Sequence, residues 1–167
     1  MARCRRRRRR RNRVDPLTAE PSAGAFEGRE HMLAVRVYYE DTDFTGLVYH
    51  ANYVRYLERG RSDYLRLAGV SHGDLLDRPD PCAFVVTRLA IDFRKPARID
   101  DALTVRTTYD TVRGARLIIA QRVTRGQDLI AQAAVEAVCI APGGKARRPP
   151  ADFVERLRPR LLPTPTP

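Results

Sequence analysis

VRVYYEDTDFTGLVYHANYVRYLERGRSDYLR, residues 35–66, changes its hydrophobic period once, and that change sets the fold. Val35, Val37 and Tyr39 alternate with Arg36, Tyr38 and Glu40, the period-two pattern of a strand. A polar loop, Asp41, Thr42 and Asp43, follows and ends at Gly46. Beyond it Val54, Leu57, Tyr64, Leu65 and Ala68 share one side at helical spacing, while Arg55, Arg59, Ser62, Asp63 and Arg66 share the other. A carboxylate loop therefore runs into the start of an amphipathic helix. The first turn of a helix has unpaired backbone N–H groups and a partial positive charge, which together can polarise a carbonyl oxygen. A carboxylate just upstream can attack that carbonyl carbon or activate a water beside it, while the amides take up the oxyanion. Such a site needs no metal.

The same residues carry a resemblance. Tyr38 to Asp43, then Gly46, then Val48 to Tyr53, then Glu58, Arg59 and Arg61 form a long ordered pattern, and Phe93 to Asp101 supply a second one. With these the chain resembles the hotdog-fold thioesterases of the 4-hydroxybenzoyl-CoA thioesterase family, nearest the Tol-Pal-associated acyl-CoA thioesterase branch, over roughly residues 33–148. The resemblance implies that Asp43 is the catalytic aspartate and that two subunits join their sheets edge to edge and share active sites. One departure stands out: Phe44 and Thr45 occupy positions where that family has small residues, which puts substrate choice in question.

Composition bounds the remainder. A length of 167 residues suits one domain. The net charge of +11 suggests nucleic acid until it is located. Residues 1–13 hold nine arginines and no acid, and the rest of the chain carries 22 basic against 20 acidic groups. A basic footprint over the whole domain is absent, so no specific nucleic-acid partner is expected. Cys4, Cys82 and Cys139 form no close-spaced pair, so neither a zinc site nor a disulfide framework is indicated and a cytoplasmic setting is the plain reading. Residues 1–30 are read as a disordered arginine-rich extension, residues 31–158 as the folded domain and residues 159–167 as a flexible tail. No apolar run follows the arginines, so this is not read as a signal peptide.

The helix is expected over Ala51 to about Ala68, with Gly60 marking a strand that passes close by and Gly69 as the stop. A short helix capped by Ser71 follows. After Pro81 come four apolar stretches of strand character: Cys82 to Phe93, Ala102 to Val112, Arg116 to Arg125 and Leu129 to Ile140. Turn signals separate them, so antiparallel hairpins connect them. The expected fold class is α+β, a hotdog with a long central helix wrapped by a curled antiparallel sheet of about five strands. A last short helix is expected near Ala151 to Arg158.

Within this frame the candidate catalytic residues are Asp43, His50 and Tyr49, with Gly46, Val48, Asn52, Arg113 and Lys145 as candidate substrate-binding residues. His50 is weighted toward its backbone amide over its imidazole, Tyr49 and Asn52 orient the loop or touch the acyl group, and Asp41 structures the loop. Coenzyme A carries phosphates, for which Arg113, Arg116 and Lys145 are candidates and Arg94 and Lys95 are others. Glu58 is a rival carboxylate, but Arg61 and Ser62 lie within pairing distance on the helix. No G-x-S-x-G elbow, H-E-x-x-H pair or G-x-G-x-x-G loop is present, which removes serine-hydrolase, zincin and dinucleotide readings. The reading is an acyl-CoA thioesterase that uses no cofactor and forms a homodimer or homotetramer. The alternative is a non-catalytic hotdog adaptor that binds acyl thioesters or an acyl carrier protein at the inner membrane.

Overall fold

The alternation after Pro81 becomes four long strands in the computed structural model, which describes residues 23–162. In chain order the elements are β1 (Ala25–Glu27), β2 (Glu30–Arg36), a one-turn 3-10 helix (Tyr39–Asp41), α1 (His50–Leu67), α2 (His72–Leu76), β3 (Ala83–Phe93), β4 (Ala102–Arg113), β5 (Arg116–Arg125), β6 (Asp128–Ile140), α3 (Ala151–Leu157) and a final 3-10 turn (Arg158–Arg160). The strands form one antiparallel sheet in the order β1-β2-β4-β5-β6-β3. Gly114 and Gly126, with φ of +60° and +57°, turn the β4–β5 and β5–β6 hairpins in a conformation that glycine adopts without a Cβ clash.

The long helix α1 lies on one face of this sheet, burying Tyr53, Tyr56, Leu57, Tyr64 and Leu65. Each such side chain contributes roughly 1.5–3 kcal/mol when fully removed from water. The close approach expected at Gly60 is present: a Cβ there would stand 2.7 Å from Val105 Cγ1 and 2.9 Å from Thr107 Oγ1, both on β4. Beneath the helix, Gln121 of β5 donates to the Leu57 carbonyl and to Thr107 Oγ1, each at 2.9 Å, and accepts from Arg61 Nη1 at 2.7 Å. These buried polar groups fix the height of the helix over the sheet. Gly69, at φ +80°, ends α1, and Ser71 Oγ caps α2 by accepting from the Asp74 amide.

Three expectations are corrected. The sheet has six strands where about five were expected, because β1 forms from residues 25–27, inside the stretch read as disordered. It is held by Asp63, whose Oδ2 accepts from the Gly24 amide at 2.7 Å and lies 2.9 Å from His31 Nε2. The sheet is also open where a curled one was expected: β1 and β3 are separate edges, and β3 stays exposed over Val85–Arg88 instead of folding back on the helix. Finally, the first long strand ends at Arg36. Tyr39 belongs to the 3-10 turn and is 83% exposed, so the strand alternation read through Glu40 stops short. The arginine run of residues 1–13, Cys4 and residues 163–167 lie outside the described residues. No described helix is long and apolar enough to cross a membrane.

Candidate active site

The loop joining β2 to α1 is assembled around Asp41. Its Oδ2 accepts from the Tyr38 amide at 2.9 Å, and its carbonyl accepts from the Tyr49 amide at 2.9 Å and from Asn52 Nδ2 at 2.8 Å. Asp41 and Asn52 are both buried, so these bonds lock the end of the 3-10 turn to the first turn of α1.

Residues 43–46 make a tight turn on this base. The Gly46 amide donates to the Asp43 carbonyl at 3.0 Å, and the Asp43 amide donates to the Leu47 carbonyl at 3.0 Å. Gly46 sits at φ +75°, the left-handed region, which explains a glycine at the turn's close. Phe44 projects fully into solvent from the tip. Asp43 Oδ1 accepts from the Thr45 hydroxyl at 2.5 Å and from the Thr45 amide at 2.8 Å, while Oδ2 has no donor among the described residues. The two Thr45 bonds, with a smaller contribution from the positive potential of His50, hold the Asp43 carboxyl below its ordinary range. One oxygen is thus tethered and the other is open to solvent.

His50 is the first residue of α1, and its amide and that of Ala51 have no acceptor among the described residues. The Tyr49 ring packs against the His50 imidazole with centroids 4.4 Å apart and planes tilted by 58°. Beside them lies an open groove of about 330 Å³, lined by Leu47, Val48, His50, Tyr53 and Phe93 together with Arg94 and Lys95. Val48 is pinned at its wall by an amide bond to the Ala97 carbonyl at 2.9 Å, and the Ala97 amide in turn donates to Tyr53 Oη at 3.3 Å. A carboxylate with one free oxygen and open helix amides thus flank the Leu47–His50 segment, which forms one wall of the groove at one end of the sheet; Asp43 itself does not line the groove.

The pattern of the thioesterase-like superfamily matches residues 37–157, which span this loop, the groove and the sheet. This chain belongs to that superfamily. Among its thioesterase-like relatives, the acyl-CoA thioesterase YbgC of Haemophilus influenzae is 43% identical over 109 residues, covering 65% of this chain and 79% of that one. The acyl-CoA thioester hydrolase YbgC of Escherichia coli is 41% identical over the same length and covers 80% of that protein. Among solved structures, a probable thioesterase from Bartonella henselae superposes with a TM-score of 0.70 at 40% identity, covering 72% of this chain and 99% of that one.

Thioesterase-like architecture places the sequence-predicted residues unevenly. Asp43, Gly46, Val48, Tyr49, His50 and Asn52 are brought together as described. Arg94 and Lys95 line the groove. Arg113 and Lys145 do not join them within one chain. The pairings Phe93↔Ala131 and Ala83↔Ile140 set the groove at one end of β3 and the 141–146 loop at the other, about 30 Å away at the usual strand rise. Arg113, in the β4–β5 hairpin, lies at that far end too, since its partner Arg116 is followed across the sheet by Val138. Glu58 is taken up in bonds to Arg61 and Ser62, the latter at 3.0 Å. Among the described residues no group of three or more His, Cys, Asp or Glu side chains is placed to hold a metal ion. Thr45, Tyr53 and Phe93 were not among the candidate site residues read from the sequence. Thr45 had a signal, a hydroxyl two residues after a turn aspartate. Phe93 opened the second matched stretch, but its place in the groove depends on its packing against Tyr53, forty residues away in the chain.

Proposed function

We propose that this chain hydrolyses acyl-CoA thioesters, with Asp43 Oδ2 as the reacting oxygen and the His50 amide as donor to the developing oxyanion. The observation that carries the proposal is the pairing of a tethered, ionised carboxylate with unsatisfied amides at the start of α1, beside a groove with an apolar wall. The relatives that are 41–43% identical over 109 residues are an acyl-CoA thioesterase and an acyl-CoA thioester hydrolase. In the nucleophilic course Oδ2 bonds to the thioester carbonyl carbon, the oxyanion accepts from the amide, the C–S bond breaks to release the thiolate of CoA, and water cleaves the resulting anhydride. In the general-base course Asp43 takes a proton from a water that attacks the same carbon. Phe44, next to Asp43 at the turn tip, is the departure from the family pattern whose effect on acyl choice a substrate panel tests.

The proposal includes a second copy of the chain. The β3 edge is long and unpaired among the described residues, with Val85, Val86 and Phe93 exposed. Unpaired edges of this length invite strand pairing. Antiparallel pairing of two β3 edges would cover the open groove and carry the far end of one subunit, with Arg113 and Lys145, toward the Asp43 of the other. A homodimer is the smallest assembly that does this, and a homotetramer would contain it. The free, buried thiols of Cys82 and Cys139 suit a reducing cytoplasm.

The test is thiol release from a panel of short-chain, long-chain and aromatic acyl-CoA substrates by the parent and by Asp43→Asn. The variant keeps Oδ1 for Thr45, so the turn is preserved. Turnover should fall by about 10²–10⁴-fold or more. Undiminished hydrolysis would remove Asp43 from the mechanism. Absence of turnover in the parent, with acyl-CoA or acyl carrier protein still bound, would favour the adaptor reading at the inner membrane. Single-turnover labelling in ¹⁸O water separates the two courses: label in Asp43 marks the nucleophile, and label in the product acid alone marks the base.

A further inference from the structure

A larger cavity, about 740 Å³, shares no lining residue with the groove beside Asp43. It exists because β1 is short. β1 pairs with Glu30 to Met32 only, so residues 33–36 of β2 have β4 on one side and no described strand on the other. The flank of α1 forms the facing wall, where Arg59, Ser62, Asp63 and Arg66 recur three and four residues apart on one face. Leu33, Val35 and Val70 supply the apolar surface.

The charges in this cavity are unequal. Arg36, Arg59 and Arg66 face a single carboxylate, Asp63. Arg66 pairs with Asp63, and Arg36 Nη1 donates to the Asp100 carbonyl at 2.6 Å. Arg59 has no carboxylate within ion-pair distance among the described residues; its guanidinium rests 5.9 Å from the centroid of the Tyr56 ring. A planar guanidinium without a partner, above an apolar floor, recognises a carboxylate bidentately. Of the three guanidiniums only Arg59 has no acceptor among the described residues, so a single carboxylate head group satisfies it. The volume lies within the range of about 300–1,000 Å³ typical of ligand pockets.

We propose that the cavity between β2 and α1 binds an amphipathic carboxylate, with Arg59 holding the head group and Leu33, Val35 and Val70 receiving the tail. This site does not depend on the thioesterase reading. The probe is dodecanoate below its micelle concentration, titrated into the full chain by calorimetry, with dodecanol as the neutral comparison. Saturable one-to-one binding is expected. Arg59→Gln should weaken dodecanoate by about tenfold or more and leave dodecanol unchanged. Leu33→Trp, which enlarges a half-buried side chain on the cavity wall, should abolish both. Asp43→Asn should bind as the parent does. The arginine run is common to every variant, so differences among them report the cavity alone. Equal affinity of parent and Arg59→Gln, equal affinity for acid and alcohol, or loss of binding in Asp43→Asn would each overturn the proposal. Where Leu33→Trp loses its fold by circular dichroism, Arg59→Gln decides.

Discussion

Replacing Gly60 with alanine tests how α1 is seated. The added Cβ would stand 2.7 Å from Val105 Cγ1, 2.9 Å from Thr107 Oγ1 and 3.3 Å from Gln121 Nε2. None of these neighbours moves cheaply. All three are at most 2% exposed, Val105 is β-branched and stiff, and Gln121 is held by bonds to Leu57, Thr107 and Arg61. The helix must therefore lift, and with three neighbours that cannot yield the overpacking cost falls in the upper part of the usual range, about 2–3 kcal/mol. Exchange of glycine for alanine inside a helix returns about 1 kcal/mol. The net loss is about 1–2 kcal/mol, which lowers the midpoint of thermal unfolding by roughly 3–6 °C for a chain of this size. Circular dichroism melts read it directly. Adding Val105→Ala removes the nearest clashing atom, so the double variant should fall short of the summed losses by about 1 kcal/mol. A midpoint that is unchanged or raised in Gly60→Ala, or strict additivity in the pair, would refute the seating.

Thr45→Ala removes the hydroxyl that most strongly lowers the Asp43 pKa. The acid limb of the hydrolysis profile, which reports loss of the carboxylate, should move to higher pH; a stationary limb would dissociate Thr45 from Asp43. Asp63→Asn breaks the acceptor shared by the Gly24 amide, His31 and Arg66, and should cost about 2–4 kcal/mol with faster hydrogen exchange over residues 24–32 than elsewhere. Acid should weaken the same joint. Burial lowers the His31 pKa below its ordinary 6.5, so the unfolded chain takes up a proton that the native one resists, and stability declines as pH falls from about 6.5 toward the lowered native value. Burial opposes ionisation of Asp63, but its bonds to Gly24, Arg66 and His31 prevail and lower its pKa, so its contribution holds above 3.8 and is lost as pH falls through the native value. Melts of the parent and His31→Gln across this range check it: the parent's slope below about pH 6.5 should be the steeper.

The parts legible in the sequence were those governed by local pattern. The helix read from Ala51 spans His50–Leu67, and the strands from Cys82 onward end within a residue or so of their expected limits, because each carries a long uninterrupted period. The turn Asp43–Gly46 was readable from its glycine. β1 was not, since three residues between Gly24 and Gly28 are too few to show a period and their order comes from Asp63, nearly forty positions later. Asp63 itself was misleading: helical spacing put it on the polar face with Arg59 and Arg66, yet it is buried under the strand it holds. His31 was likewise unmarked, a lone histidine whose fully buried place among Phe26 and Tyr64 is settled by the tertiary fold.

Gly60 and His50 belong to one unbroken helix, about 15 Å apart at the usual rise. A helix of this length moves as a rod, so whatever lifts it off Val105 and Thr107 also swings the open amides at its first turn. Carbonyl polarisation tolerates little misplacement, since an ångström is enough to cost about a hundredfold in rate. On the proposed mechanism, turnover in this chain is a gauge of how the middle of the sheet is filled. Conservative exchanges at Val105, Thr107 or Gln121 that barely change the melting point should still register in kcat, and selection acting on catalysis would constrain residues that no substrate ever meets.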